Sequence, residues 1–489
     1  MARSTGSWAK GVHPALLIAI AVVAVLEVAA VAVCLLAVSA PEPAAPTAIG
    51  ELGPTPTVGA TSALAATPAP APTSTPAGFP TPEAPQPTAV EPSPPTPQPA
   101  KAPPTAAPVP TAGLAPWVRP GYKYGLHLLL DDDRNHWPEA VWPQHLQAAR
   151  QIVGEGGYVV QLIRIDDLNV RRWQSFLDLC GQEHLIPIIR LAGTFDHDRK
   201  WWNAPAKDKD GKSYTGVARQ WRDFLAQLRW PTTPHYVIVG NEPNRGDEWS
   251  DQPNPAEYAR YLRDVGNALH EVGITVLGPA LDLYCPHSNG KKIAGYRYID
   301  AESFLDGMAA AAPKSLTVID IWASHAYPLD PFRIDPSRQV FQIDYANGAS
   351  NPQHLQPPEG IFNRGVNSYR WELWKLERLA GPQAANLPVL ITESGWRHAP
   401  TQNAEARDNV HAEISFEVQS AYLDLAFNGN HGRYPDLPEA GWTPWNDDPQ
   451  VIGVVLFALG GYPKDWGHTN WVTVDDQGRI TGLYPITLP

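Results

Sequence analysis

Short aliphatic segments alternate with amphipathic segments along residues 117–489. Eight aliphatic segments occur, at 122–130, 158–165, 185–191, 236–241, 274–279, 318–325, 389–393 and 451–459. Amphipathic patterns with helical spacing fit between them, for example at 215–229, 254–272, 368–380 and 403–428. Near-continuous aliphatic strands that alternate with helices are typical of a parallel sheet covered on both faces. Eight such units predict an α/β fold, a (β/α)8 TIM barrel formed by residues 117–489.

The segments that follow the predicted strands are mostly long and rich in aromatic, polar and charged side chains. Most segments that lead into strands are short, with the exception of 430–450 before the eighth strand. A TIM barrel builds its functional site at the carboxyl ends of its strands, so long strand-to-helix loops are expected there. The chain ends in a hairpin-like stretch at 471–484, and no eighth long helix is predicted.

A long apolar run lies close to the N-terminus. Residues 14–40 carry Glu27 as their one charge, and the preceding residues 1–13 are basic. As a transmembrane helix, this run is long enough to cross a bilayer, and the positive flank places residues 1–13 in the cytoplasm. A cleaved signal peptide is the alternative, because small residues occupy 37–40, but the apolar core of a signal peptide is shorter, at about 7–15 residues. We therefore expect a single-pass signal anchor in the cell membrane and an extracellular domain, which is secreted if the segment is cleaved.

The amino-acid composition distinguishes a linker from the barrel, and the net charge and the cysteines exclude some classes of binding partner. Residues 41–116 consist mainly of Pro, Ala and Thr, which cannot form a hydrophobic core, so they are predicted to be a disordered linker. The formal net charge of −13 argues against nucleic acid as a partner and is compatible with a neutral carbohydrate. The three cysteines lack a C-x-x-C motif, which argues against a disulfide framework and a cysteine-ligated metal. The sequence leaves the oligomeric state open.

Two of the predicted strands end on a glutamate. The motif V-I-V-G-N-E-P-N at 237–244 contains Glu242, and V-L-I-T-E-S-G-W at 389–396 contains Glu393. A carboxylate at the end of a buried strand must be paired, hydrated or functional, because an isolated buried charge is costly. In a barrel, these two strand ends meet at the same rim. Two carboxyl groups held together there are the groups that hydrolyse a glycosidic bond.

These motifs resemble those of the clan A retaining glycoside hydrolases, a group of cellulase-like, mannanase-like and β-xylosidase-like barrels. The resemblance covers residues 117–489 and rests on Asn241-Glu242-Pro243 after the fourth strand and Glu393 at the end of the seventh. His325-Ala326-Tyr327 after the sixth strand and Arg164 near the end of the second support it. The resemblance implies that Glu242 is the acid/base and Glu393 the nucleophile. The eighth strand departs from the pattern, because Tyr462 and Trp466 lie beyond its aromatic-poor end.

Further side chains are candidates for substrate binding. Arg164 and Tyr327 are expected to donate hydrogen bonds that keep Glu393 ionised, and Asn241 to bind the sugar 2-hydroxyl group. Each has a structural alternative: a salt bridge inside the barrel for Arg164, and ordinary loop packing for Tyr327 and Asn241. His325 belongs to the candidate site too, unless it serves only to satisfy a backbone carbonyl.

Aromatic and acidic loops complete the set of candidates. Indole rings on predicted site-facing loops can stack on a sugar ring or pack in the core, and they belong to Trp201, Trp202, Trp249, Trp396 and Trp466. Trp396 and Trp466 are included in the predicted substrate site. For the acidic run at 131–133, a solvated loop is expected rather than a Ca²⁺ site, since no EF-hand spacing follows. No metal or cofactor is expected.

The function predicted from the sequence is that of a retaining glycosidase at the outer cell surface, acting on a β-linked poly- or oligosaccharide. A non-catalytic carbohydrate-binding barrel is an alternative, because a fold does not guarantee an activity. A transglycosylase would use the same residues. The identity of the sugar and the choice between endo and exo action are left open.

Overall fold

A computed structural model describes residues 115–398 and 414–489. The predicted cytoplasmic N-terminus, the membrane anchor at 14–40 and nearly all of the linker lie outside the described residues and stay predictions. Within the described ranges, no helix is both long and apolar enough to cross a membrane.

Eight parallel strands form a closed barrel, as the alternating pattern predicts. They are β1 (Tyr124–His127), β2 (Tyr158–Arg164), β3 (Ile186–Ala192), β4 (His235–Val239), β5 (Ile274–Pro279), β6 (Ile321–His325), β7 (Val389–Ser394) and β8 (Val451–Leu456). Each strand pairs with its neighbours in chain order, and β1 closes the barrel against β8 with Tyr124 opposite Val454. All eight predicted strands are therefore confirmed, with ends that differ by a few residues.

Within residues 115–398 and 414–489, seven longer helices accompany the strands. They are α1 (Trp142–Val153), α2 (Val170–Gln182), α3 (Thr215–Leu225), α4 (Pro255–His270), α5 (Ala301–Ala311), α6 (Tyr369–Ala380) and α7 (Phe416–Asn428). The start of α4 shows why helices begin where they do: the side chain of Asn254 accepts a hydrogen bond from the Glu257 amide, and Pro255 occupies the first turn. The helix predicted at 403–428 begins at Phe416 within the described residues.

The end of the chain also agrees with the prediction. After β8 comes a short helix, Pro463–Trp466, and then an antiparallel hairpin of Val472–Val474 and Ile480–Leu483. This hairpin corresponds to the stretch predicted at 471–484. In the part of the chain described after β8, no long helix follows the strand.

The hydrophobic core has two parts, one inside the barrel and one between the strands and the helices. Successive strand residues point to opposite faces, so Val159 and Ile189 join the outer cluster while Val160 and Ile188 join the inner one. Both faces of each strand are buried, which explains why the sequence shows continuous aliphatic runs rather than alternation.

Candidate active site

Glu242 and Glu393 meet at the carboxyl rim of the barrel. Glu393 is the next-to-last residue of β7, and Glu242 lies three residues beyond β4. One carboxylate oxygen of each glutamate and one ring nitrogen of His325 lie within 4.8 Å of one another. Glu242 has a positive φ of 36°, a backbone conformation that costs a non-glycine residue on the order of 1–3 kcal/mol and that clusters at functional sites. Its amide donates to the Ala280 carbonyl at 2.9 Å, which holds this turn against the end of β5.

The two oxygens of Glu393 are bound by different donors. Arg190, near the end of β3, donates to Oε1 at 2.8 Å, and the Tyr327 hydroxyl donates to Oε2 at 3.1 Å. The same Arg190 nitrogen lies 2.8 Å from Oδ1 of Asn241, which accepts a hydrogen bond from it. His127 places Nε2 3.6 Å from Glu393 Oε1, and burial with the nearby Arg190 charge holds its pKa well below 6.5. The charge of Glu393 is thus balanced by an arginine, with a neutral histidine beside it.

Glu242 has a different set of neighbours. Nδ1 of His325 lies 2.8 Å from Glu242 Oε1 and 3.8 Å from Glu393 Oε2. Burial pulls the pKa of His325 down, but the charge of Glu393 and the hydrogen bond to Glu242 outweigh it, so the pKa lies above 6.5. Arg245 lies 3.4 Å from Glu242 Oε2 and also pairs with Asp282 at 3.1 Å.

The prediction that Arg164 contacts Glu393 is wrong. Arg164 lies at the end of β2, where it pairs with Asp131 at 3.0 Å and Asp166 at 3.1 Å. The arginine that binds Glu393 comes from the next strand, β3. Both arginines lie near the ends of aliphatic runs, so the sequence does not distinguish between them. The twist and tilt of the strands in the barrel determine that Arg190 contacts Glu393.

The tryptophans divide between the cavity and the core. Trp466 and Trp202 line a cavity over the two glutamates, as expected for rings that stack on sugars. The prediction for Trp396 is wrong, because its side chain is buried, packs against Trp445 and donates to the Ile334 carbonyl at 2.8 Å. Trp249 is also a core residue, packed against Tyr258 and Tyr261. Trp201 lies in a hairpin of the loop after β3 and does not line this cavity.

The acidic run after β1 is not the solvated loop that the sequence suggests. Asp131 and Asp132 are 2% and 4% exposed. Asp131 accepts hydrogen bonds from His136, Arg164 and Arg172. These pairs make Asp131 the centre of a buried ion cluster, in which the two arginines come from a distant part of the sequence.

The cavity over the glutamates has a volume of about 780 Å³. Its walls come from the loops after β1, β3, β4, β5 and β8, and most of the lining residues are charged. The lining residues that sequence reasoning missed include Arg190, Arg245, Glu248 and Phe457. Phe457 directly follows β8 and packs edge-on against Trp466, with ring centroids 5.0 Å apart. Phe457 directly follows a predicted strand, and this position could have identified it as a cavity residue from the sequence.

Three loops together close one side of this cavity. The Trp202 amide donates to the Asp247 carbonyl at 2.7 Å, which joins the loop after β3 to the loop after β4. The Tyr296 hydroxyl donates to the Lys200 carbonyl at 2.7 Å, which joins the loop after β5 to the same wall. This wall is built from residues that lie far apart in the sequence, so the sequence alone does not reveal it.

A metal ion fits the glutamate pair poorly. Glu242, His325 and Glu393 could together offer three ligand atoms to an ion. However, Arg190 lies 2.8 Å from Glu393 and Arg245 lies 3.4 Å from Glu242, so each carboxylate already faces a cation. A divalent ion placed there would be repelled by both guanidinium groups.

Comparison with known proteins yields likenesses to solved glycosidase structures. No protein-family model matches the sequence, and no curated protein matches it. A mannanase catalytic domain from Streptomyces sp. SirexAA-E is 14% identical with a TM-score of 0.35, and the alignment covers 73% of this chain and 81% of that one. A GH5_18 protein from Streptomyces cattleya is 15% identical with a TM-score of 0.41, covering 73% and 76%. A family 1 β-glucosidase from Thermotoga maritima is 10% identical with a TM-score of 0.37, covering 73% and 93%. At these values, the likeness does not extend to activity or substrate.

Proposed function

We propose that this protein is a retaining glycoside hydrolase that cleaves β-linked poly- or oligosaccharides. The observation that carries the proposal is the pair of carboxyl groups, Glu242 and Glu393, whose oxygens approach within 4.8 Å in a polar cavity. The carboxyl groups of retaining glycosidases are about 5–5.5 Å apart, whereas inverting enzymes separate them by about 6.5–9.5 Å to admit a water molecule. The short separation supports the retaining mechanism.

In this mechanism Glu393 is the nucleophile. Its carboxylate attacks the anomeric carbon as the bond to the leaving oxygen breaks, and a glycosyl ester of Glu393 forms. Arg190 and Tyr327 each donate a hydrogen bond to one of its two oxygens, which holds the carboxyl group in place. The binding of Arg190 to Asn241 also fixes the amide beside the nucleophile, where it can bind the sugar 2-hydroxyl group.

Glu242 is the acid/base. It donates its proton to the leaving oxygen in the first step, and in the second step it accepts a proton from the water that attacks the glycosyl ester. His325, which is held between the two carboxyl groups, can orient Glu242 through its 2.8 Å contact. Trp466 and Trp202 provide apolar surfaces in a cavity whose lining is mostly charged, which suits the apolar faces of a sugar ring.

The first experiment is a screen of β-linked glycans and aryl β-glycosides with the wild type, Glu393→Ala and Glu242→Gln. The wild type should hydrolyse at least one glycan with net retention of anomeric configuration, and Glu393→Ala should lose nearly all activity. Glu242→Gln should lose activity on natural glycans but keep the glycosylation step on aryl glycosides with good leaving groups. Azide should then yield a β-configured adduct.

Several outcomes would overturn these assignments. Equal turnover by the wild type and Glu393→Ala would remove the proposed nucleophile, and an α-configured azide adduct would contradict the retaining mechanism. Glycan binding without product release would indicate the non-catalytic alternative. Transfer to an added acceptor sugar in preference to water would indicate a transglycosylase.

We also propose that residues 14–40 anchor the protein in the cell membrane, with the barrel outside and residues 41–116 as the connecting linker. The support is the apolar run and its basic flank. Cell fractionation with protease treatment of intact cells tests this proposal: the barrel should be membrane-bound and digested from outside. Release of the barrel into the medium would indicate a cleaved signal peptide instead.

A further inference from the structure

Glu248 is an unpaired carboxyl group in the wall of the cavity. Three other acids of the cavity have guanidinium partners: Arg190 for Glu393, and Arg245 for both Glu242 and Asp247. No residue of 115–398 or 414–489 gives the Glu248 carboxyl a hydrogen bond or an ion pair. Its side chain is partly buried and lines the cavity, so a molecule bound there can supply the hydrogen-bond partner that the protein itself does not.

The surroundings of Glu248 match those of a sugar-binding carboxyl. It is partly buried in the loop after β4 and lines the cavity together with Trp202 and Asn241. A second, smaller cavity of about 30 Å³ lies behind it, against the apolar Trp249 and Tyr261. An indole ring next to a carboxyl group offers a sugar both an apolar surface and a hydrogen-bonding partner.

The electrostatics of the loop favour the neutral acid. Burial raises the pKa of Glu248 well above 4.5, and the charge of Asp247 raises it further, against the opposing charge of Arg190. A protonated carboxyl group both donates and accepts hydrogen bonds. A sugar hydroxyl group has the same two capacities, so the neutral acid and the hydroxyl group are complementary.

We propose that Glu248 is a substrate-binding residue that forms hydrogen bonds with a hydroxyl group of the glycan, in a subsite shared with Trp202. The inference rests on the proposed glycosidase function and adds a specificity-determining residue to it. It assigns to Glu248 a role in binding and none in the transfer of the catalytic proton.

The test compares Glu248→Ala, Glu248→Asp and Glu248→Gln with the wild type on the glycan that the screen identifies. Loss of the hydrogen bonds in Glu248→Ala should raise KM roughly tenfold and leave kcat within about twofold. Glu248→Gln keeps one donor and one acceptor at the same reach, so it should restore KM to within about threefold of the wild type. Glu359→Ala, which changes an exposed glutamate outside the cavity lining, is the matched control and should leave both constants unchanged.

A second measurement separates binding from turnover. Calorimetry of the same glycan with Glu393→Ala and with Glu393→Ala/Glu248→Ala should show roughly tenfold weaker binding by the double variant. Glu248→Asp shortens the side chain by one methylene, so it should raise KM as well. If Glu248→Ala fails to fold, Glu248→Asp tests the role of Glu248 in its place.

The results distinguish the two proposals. An unchanged KM and affinity in both Glu248→Ala and Glu248→Asp would overturn the role of Glu248 while the glycosidase assignment stands. A collapse of kcat with unchanged KM in Glu248→Gln would also overturn it, because the carboxyl would then handle a catalytic proton. If the wild type neither binds nor hydrolyses any glycan of the screen, the proposed function itself fails, and the inference about Glu248 fails with it.

Discussion

At the scale of single residues, the arginine that binds Glu393 is the one that the sequence-based expectation did not name. Arg190 donates to both Glu393 and Asn241, whereas Arg164 belongs to the ion cluster around Asp131. The two residues end neighbouring strands, so they form a matched pair for mutation.

Replacing Arg190 by Ala should lower kcat/KM at least 100-fold, because Glu393, the proposed nucleophile, loses its charged hydrogen-bond donor. Replacing Arg164 by Ala should lower kcat/KM less than tenfold and act mainly on stability. Steady-state kinetics on the same glycan, with circular dichroism to verify folding, measure both effects. A larger kinetic loss for Arg164→Ala than for Arg190→Ala would contradict the arrangement at the nucleophile.

His325 makes the stability of the site dependent on pH. The charges of Glu393 and Glu242 raise its pKa above 6.5 despite burial and the neighbouring Arg190. Its protonated ring therefore contributes stability that is fully present below about pH 6.5 and is lost as the pH rises through the folded-state pKa. The wild type should be more stable than His325→Asn by the largest margin at pH 5.5, and by a smaller margin at pH 8.5.

Urea unfolding at several pH values measures this margin as the difference in the free energy of unfolding. The values at the alkaline end of the series are decisive, because the neutral ring is no longer stabilised there by the charges of Glu242 and Glu393. A margin that stays constant from pH 5.5 to 8.5 would show that the ring does not change its charge in this range.

At the scale of secondary-structure elements, α6 packs against β6 through a buried carboxyl group. Glu372 is 0% exposed and accepts a hydrogen bond from the Ser324 hydroxyl, next to His325. Burial raises the pKa of Glu372 to about 8. The folded protein therefore binds a proton here that the unfolded chain releases above about pH 4.5, so this group makes the fold less stable as the pH rises from about 4.5 to 8.

Replacing Glu372 by Gln removes this proton and keeps an amide in the same space. The variant should gain stability relative to the wild type as the pH rises from 5 to 8, which thermal unfolding at each pH measures. Glu377→Gln on the same helix is the control, since the Glu377 side chain is 44% exposed. Parallel pH profiles for the wild type and Glu372→Gln would contradict the buried neutral acid.

At the scale of the whole molecule, all eight strands of the closed barrel lie between Tyr124 and Leu456. The closing pair of strands, β1 and β8, and both parts of the core lie within the described ranges. A chain of residues 115–489 should therefore unfold within about 3 °C of the full-length protein and hydrolyse a soluble glycan at the same rate within about twofold.

Calorimetric unfolding of both chains in detergent, together with their kinetics, provides the measurement. A drop in the unfolding midpoint of about 10 °C or more would mean that the preceding residues stabilise the barrel.

The sequence by itself determined the fold and the position of the catalytic candidates along the chain. Strands buried on both faces produce continuous aliphatic runs, so all eight were visible, and the closed barrel matches the architecture of the clan A glycosidases that the motifs resemble. A charged glutamate is unusual at the end of a buried aliphatic strand, and this exception identified Glu242 and Glu393 as candidates. Tyr327 and His325 followed from the family resemblance, and in the structure they lie at the end of β6, which pairs with β7.

The tertiary structure decided which side chains meet. Arg190 rather than Arg164 contacts Glu393, since the direction of a side chain at a barrel rim depends on strand twist and tilt, which a linear pattern does not encode. Trp396 and Trp466 look alike in the sequence, yet one packs in the core and the other lines the cavity. Glu248 carries no sequence signal, and its role emerges only when loops far apart in the chain form one wall. The hydrophobic pattern of a segment shows which of its residues are buried, and it can be read from that segment alone. The partners of a side chain, in contrast, come from distant segments that only folding brings together.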